Sequence, residues 1–482
     1  MKKFFTILIL TIFPLAAFAS KDAVSYKISE NSTLVVNGFV NFSSAVRDQN
    51  SSFEQKKLPD GITNNKDSRK ESIGNDSQFY VKLNNKNGNL DRYGAVAKVE
   101  FNYNSDHRNE KPNLDQAFAF YDGSFGKFEF GNNQAVNQKM KVGPASFARA
   151  AGGINGKYLE QVNYSMLANS SNSSSSICNG GVGSSACSNV KLPRFIMLAQ
   201  SPIGHGGYAK GFYKQGVNNN YQLAQGDSGS NNSHFRALKD NSFDGMEDAT
   251  KISYYTPRIE GLQMGFSYTP NSNNNGITST NVHDLDAVRI QDILSFGTNY
   301  SNNFDNLGLA ISATAEKGKT NNSKSAAGVS RANLFAYDLA TTLTYFGFSF
   351  GASYGSWTDS LQAKNGLYSC DYNSSLNLSS QNCTTNNTKF KNPSYYTLGI
   401  AYSFGPIAAS ITSIKSNFQK NKYDAVSLGL DYKLTKDLMP YFEVTKFAFK
   451  SNKTLALDVA ANQTQLRDNS GYVFLTGILF SF

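Results

Sequence analysis

Between Asn132 and Lys157 the chain carries Lys139, Lys141, Arg149 and Lys157 and no acidic residue. Fixed charges of one sign collect counter-ions and repel co-ions, and they do so most strongly in a narrow, partly desolvated passage. The Gly143-Pro144 and Gly152-Gly153 pairs allow this segment to bend sharply. It reads either as a one-signed lining for anions, if it lies in a confined space, or as a solvated basic outer loop, which is the ordinary meaning of a charge run. Three further pairs, Lys98 with Glu100, Lys127 with Glu129, and Lys210 with Lys214, are spaced to share a face of an extended chain. Their mixed signs imply a transverse field and mild selectivity.

Other chemistries find less support. The four cysteines fall into two local pairs in Ser/Asn-rich stretches, Cys178 with Cys187 and Cys370 with Cys383. Loop closure and an oxidising compartment favour these two bridges. His107, His205, His234 and His283 are scattered without ligand spacing, so neither a metal nor a cofactor is expected. No motif singles out a nucleophile with its base, and the chain is not expected to be an enzyme.

The elements that must hold these side chains are strands. In Tyr396, Leu398, Ile400, Tyr402 and Phe404 every second residue is large and apolar, while Thr397, Gly399, Ala401 and Ser403 between them are small or polar. Ala425 to Leu434 repeats the pattern, which is the period of a strand with two different faces. About 18 such segments run from Leu34 to the end; the weakest two, Phe195 to Gln200 and Tyr208 to Gln215, fold into a loop if the true number is 16. The connections alternate between tight turns, such as Phe346-Gly347 and Gly405-Pro406, and long Ser/Asn-rich stretches such as Thr358 to Asn392. Ser416 to Lys422 is counted among the long ones. A sandwich has no reason to sort its loops this way. A transmembrane barrel does, with short periplasmic turns at one end and long extracellular loops at the other.

Composition agrees. Charged residues are 17% of the chain and aromatic residues 13%, with 35 Phe, 26 Tyr and 39 Gly among 482 residues. That excludes disorder, collagen and coiled coil. The expected fold is an all-β, transmembrane antiparallel barrel of 16 to 18 strands, a size that leaves an aqueous channel. Met1-Lys2-Lys3, the apolar run Phe4 to Leu15 and Ala17-Phe18-Ala19 read as a signal peptide over residues 1–19, leaving 20–482 as the barrel domain. Losing Lys2 and Lys3 takes the formal charge from +10 to +8. An exported chain is not expected to bind nucleic acid, so the basic excess points to a surface or channel that handles anions.

Thr250 to Pro257 followed by Gly261 to Tyr268 resembles the paired strands of Gram-negative general porins. So does Gln116 to Tyr121 with Gly123 to Gly131, which is similar to the hairpin that leads into their constriction loop. Phe482, with Phe480 and Ile478 at alternate positions before it, resembles the terminal signal read by the outer-membrane assembly machinery. The resemblance extends over essentially the whole mature chain. It implies a barrel among outer-membrane lipids of a Gram-negative bacterium, assembled as a homotrimer, through which small hydrophilic solutes and ions diffuse passively. It also implies that residues 132–157 fold back as the constriction; Lys139, Lys141, Arg149 and Lys157 would then favour anions weakly. A structural or adhesive barrel, and less readily a barrel enzyme, are the alternatives.

Overall fold

The computed structural model describes residues 24–50, 70–88, 91–103, 113–148, 153, 158, 249–271, 290–320, 332–360, 392, 394–418, 421–450 and 468–482, with the backbone of six short strands in the long connections. The first strands are β1 (Val24–Lys27), β2 (Ser32–Gln49), β3 (Glu71–Asn87), β4 (Asp91–Tyr103), β5 (Asn113–Gly123) and β6 (Gly126–Asn132). A single helical turn, α1 (Val136–Lys139), follows, then the short pieces β7 (Leu167–Asn169), β8 (Lys214–Gln215) and β9 (Tyr221–Gln222). Long strands resume with β10 (Thr250–Tyr255), β11 (Leu262–Asn271), β12 (Ile290–Phe304), β13 (Leu307–Thr320), β14 (Leu334–Tyr345) and β15 (Phe348–Ser356). A ribbon of β16 (Leu367–Cys370) and β17 (Cys383–Asn386) precedes β18 (Ser394–Phe404), β19 (Ile407–Phe418), β20 (Asn421–Tyr432) and β21 (Leu438–Lys450). The short β22 (Thr464–Leu466) and the long β23 (Asn469–Ser481) complete the order.

Each long strand pairs antiparallel with the next, and β2 pairs with β3 on one side and with β23 on the other. The result is a closed barrel of 16 strands plus the extra strand β1. Closure leaves no strand edge along the wall, so backbone groups there find partners without water. The terminal residue seals the seam: the Phe482 amide donates to the Gly38 carbonyl and the Gly38 amide to that of Phe482, at 3.1 and 3.0 Å. Below this point β1 pairs with Thr33 to Val36 and occupies the edge of β2 that β23 leaves open.

The alternation seen in the sequence separates two faces. Leu398, Ile411 and Leu428 are 60%, 53% and 51% exposed on the outside, where lipid replaces water, whereas Thr412 and Ser427 on the inside are 1% and 2% exposed. Phe346 and Gly347 both take positive φ, 43° and 85°, as a two-residue turn between right-twisted strands requires.

The strand number is the 16 of the expected range, with β6 paired directly to β10; Lys214–Gln215 forms a small ribbon with Tyr221–Gln222, and the rest of the two weakest segments lies outside the described residues. Two sequence expectations need correction. Ser416 to Lys422 is not a long loop, since β19 and β20 stay paired up to Phe418 and Asn421. The inner wall is not uniformly polar. Toward the extracellular ends, Ile290, Ile293, Leu334, Ile414, Phe447 and Phe449 pack in one buried cluster with Tyr158 of the β6–β10 connection. They face protein rather than channel water, which is why apolar residues are tolerated there.

Candidate functional site

After Asn132 the chain turns inside the barrel and follows the inner wall. Along its way, backbone amides bond to small polar side chains that successive strands point inward. Val136 donates to Ser267 Oγ of β11, Val142 to Ser312 Oγ of β13 and Gly143 to Thr342 Oγ1 of β14, at 3.0, 3.1 and 3.1 Å. The Met140 carbonyl accepts from Asn299 Nδ2 of β12 at 3.2 Å, and Gly153 donates to Glu443 Oε2 of β21 at 3.1 Å.

A row of inward glycines makes the wall shallow enough for this path. Gly265 and Gly297 are direct cross-strand partners, as are Gly351 and Gly399. A Cβ at Gly297 would stand 2.9 Å from both Met140 Sδ and the Val136 carbonyl, and one at Gly399 would stand 2.5 Å from Pro144 Cβ. Val136 and Met140 fill the space over the first pair, with Tyr255 completing a small apolar cluster.

Charged residues fix the same segment. At its neck, the fully buried Lys251 Nζ donates to the Asn133 and Ala249 carbonyls, so one ammonium group joins the start and the end of the long connection. Lys139 pairs with Glu129 Oε2 at 2.6 Å, and Glu129 also takes Lys127 on Oε1 at 2.6 Å and Asn133 Nδ2 at 2.7 Å. Lys141 lies 3.3 Å from Asp338 Oδ2 of β14 and donates to Tyr395 OH of β18 at 3.1 Å. Tyr395 in turn donates to Asp338. Burial lowers the pKa of both lysines from the ordinary value, against the opposing pull of Glu129 and Asp338.

The other residues singled out by sequence divide clearly. Lys98 is buried on the inner face between Glu100 and Asp115, at 2.7 and 2.5 Å. Lys127 and Glu129 face the segment just described. Arg149, Lys157, Lys210, Cys178 and Cys187 lie outside the described residues, and of Lys214 only the backbone is described. Cys370 and Cys383 stand directly opposite one another in the β16–β17 ribbon. Phe480 and Phe482 point outward, and the Phe482 ring lies 5.5 Å from that of Phe79.

Sequence reasoning missed Asp338, Tyr395, Lys251 and Glu443. It also passed over the glycines, although an isolated glycine inside an alternating strand marks a place where another part of the chain comes close.

A family model described as Gram-negative porin matches residues 205–452. An uncharacterized protein of Rickettsia bellii is 26% identical over 502 residues, spanning 93% of this chain and 94% of that relative. One of Rickettsia conorii is 27% identical over 345 residues, 62% of this chain and 73% of the relative. Among solved structures, an anion-selective porin from Comamonas acidovorans is similar in fold, with 13% identity, a TM-score of 0.51 and coverage of 94% of this chain and 100% of that one. The match, the closed lipid-facing barrel and the segment seated within it lead to one assignment: the chain belongs to the Gram-negative porin family and is an outer-membrane β-barrel.

Proposed function

We propose that the barrel carries small hydrophilic solutes and ions by passive diffusion, that the segment from Asn132 is its constriction, and that it favours anions weakly. The observation that carries this reading is the set of amide bonds from Val136, Val142 and Gly143 to inward side chains of three different strands. A segment tethered in that way narrows the lumen without blocking the opposite wall. The preference is weak because Lys139 and Lys141 each meet a carboxylate, so their fields are largely cancelled close to the wall. In planar bilayers the folded protein is expected to give steady open steps, with a reversal potential slightly on the anion side. Silence would favour the structural or adhesive alternative.

Trimers are part of the same proposal. On the outer face of β4 and β5, Ala95 pairs with Ala119 and Ala97 with Ala117. These small side chains make a flat patch where other strands present large apolar ones, and a flat wall suits contact with another copy. Residues 1–19 as a signal peptide, the two local disulfides and delivery of the C-terminal strand to the assembly machinery complete the reading.

A further inference from the structure

The segment after Asn132 is also reached from below, from the tight turn between β10 and β11. Arg258 stands exposed in that turn and directs its guanidinium at three neutral oxygens. Its Nη1 donates to the Gly261 carbonyl at 2.5 Å, and its Nη2 donates to Gln263 Oε1 of β11 at 3.0 Å and to Asn299 Oδ1 of β12 at 2.6 Å. Among the described residues no carboxylate lies within ion-pair distance of Arg258. Gln263 and Asn299 are direct cross-strand partners and share the inner face with Gly265 and Gly297, the pair on which Val136 and Met140 rest.

A guanidinium can only donate and a carbonyl can only accept, whereas a side-chain amide has one end of each kind. An amide set between the two therefore has a single orientation that satisfies both. With Oδ1 turned to Arg258, Asn299 presents Nδ2 to the carbonyl of Met140, the residue that ends α1, at 3.2 Å. Gln263 repeats the arrangement inside the turn, with Oε1 on Arg258 and Nε2 donating to the Thr256 carbonyl at 3.0 Å. Without Arg258 the Asn299 amide is free to rotate, which loses the donor to Met140 and brings two acceptors together.

We propose that Arg258 is a positioning residue for the constriction, acting on it through Asn299: the guanidinium fixes the amide, and the amide supports the end of α1. The turn and the inward segment then move as one unit. The consequence for ion flow rests on the channel reading, whereas the consequence for α1 does not.

A double-mutant cycle with two readouts tests this. One is hydrogen exchange, in detergent-folded protein, of the Gln138, Lys139 and Met140 amides, which are bonded within the turn of α1; it needs no conduction. The other is the noise and the substates of the open current in planar bilayers. Arg258→Gln should speed exchange of these amides by about fivefold, as the loss of one hydrogen bond does, and should add substates. Asn299→Asp keeps an acceptor for Arg258 but removes the donor to Met140, and should give the same acceleration with the turn intact. In the Asn299→Ala background, adding Arg258→Gln should change neither readout further, while the Ile259 and Leu262 amides of the turn still exchange faster because Gln263 has lost its partner. Arg258→Lys, which keeps a donor for Asn299, should restore most of the protection. Unchanged α1 exchange in Arg258→Gln, or an Arg258→Gln effect as large in Asn299→Ala as in wild type, overturns the proposal and leaves Arg258 as a brace of its own turn. If Arg258→Gln does not fold, Asn299→Asp decides: wild-type exchange of α1 in that variant overturns the proposal as well. Coupled exchange in a protein that conducts nothing supports the link from Arg258 to α1 and overturns the channel reading instead.

Discussion

Lys141 shows how a residue of the expected chemical type takes on a further task once its surroundings are known. Its ammonium group meets Asp338 and Tyr395, both almost wholly buried, and so ties the segment after Asn132 to the inner wall. Removing one partner of a buried pair leaves the other charge uncompensated, at a cost of about 3–5 kcal/mol. Lys141→Met is accordingly expected to lower the temperature at which the segment detaches and to add noise and larger substates to the open current. Lys141→Met combined with Asp338→Asn should recover part of the quiet behaviour, and single-channel recordings of the two variants check this. Raising pH probes the same contacts without mutation. Burial lowers the pKa of Lys139 and Lys141, so they lose their protons before exposed lysines do, below the usual value of about 10.4. Asp338 then loses its ammonium partner, and Glu129 keeps only Lys127 of its two. Reversal potentials should move toward cations as pH rises through that window, and a shift toward anions would contradict the assignment.

At the scale of elements, the seat of the segment after Asn132 is made by strands that give up side-chain volume. At Gly297 an added methyl group meets a backbone carbonyl as well as Met140 Sδ, and the carbonyl cannot rotate away. Gly297→Ala should push α1 off the wall, cost about 1–3 kcal/mol as overpacking does, and change the conductance. Gly74→Ala on β3, where the nearest atom is 3.6 Å away, serves as the control and should change neither. The β16–β17 ribbon gives an independent test in a loop. Its register places Cys370 opposite Cys383, and opposed residues of an antiparallel pair have Cα atoms about 4.5–5.5 Å apart, within disulfide range. Peptide mapping without reductant should recover the Cys370–Cys383 bridge, and reduction should leave the barrel folded. The strands were legible because lipid and lumen impose opposite demands on alternate residues. The site was only partly so: the basic residues from Lys139 onward are visible in the sequence, but Asp338 and Tyr395 come from strands far along the chain. Nothing local marks them as partners of Lys141, and only the closed register brings them there.

For the whole molecule, stability depends on closure, because a barrel has no layer of water to satisfy an open seam. The strand count could be narrowed only to 16 or 18 from the sequence, since Phe195 to Gln200 and Tyr208 to Gln215 alternate weakly, whereas direct pairing of β6 with β10 decides it. The seam itself runs between β2 and β23 from Phe39 with Ser481 up to Gln49 with Gly471. Its last two hydrogen bonds are those between Phe482 and Gly38. Deleting Phe482 removes both partners of Gly38 at the membrane edge and strips the ring that covers Phe79. An unsatisfied backbone group in lipid costs several kcal/mol, and the loss falls at the point where the first and last strands must meet. Closure should therefore slow or fail while the other pairings remain available. The expected result is a normal amount of exported chain with a smaller heat-modifiable, protease-resistant fraction in the outer membrane. Phe482→Tyr keeps the backbone bonds and the ring and should behave as wild type, whereas Phe482→Asp keeps only the bonds and should fall between. Equal folded fractions for the deletion and the wild type would show that β1, which pairs with β2 just below Gly38, is enough to hold the seam.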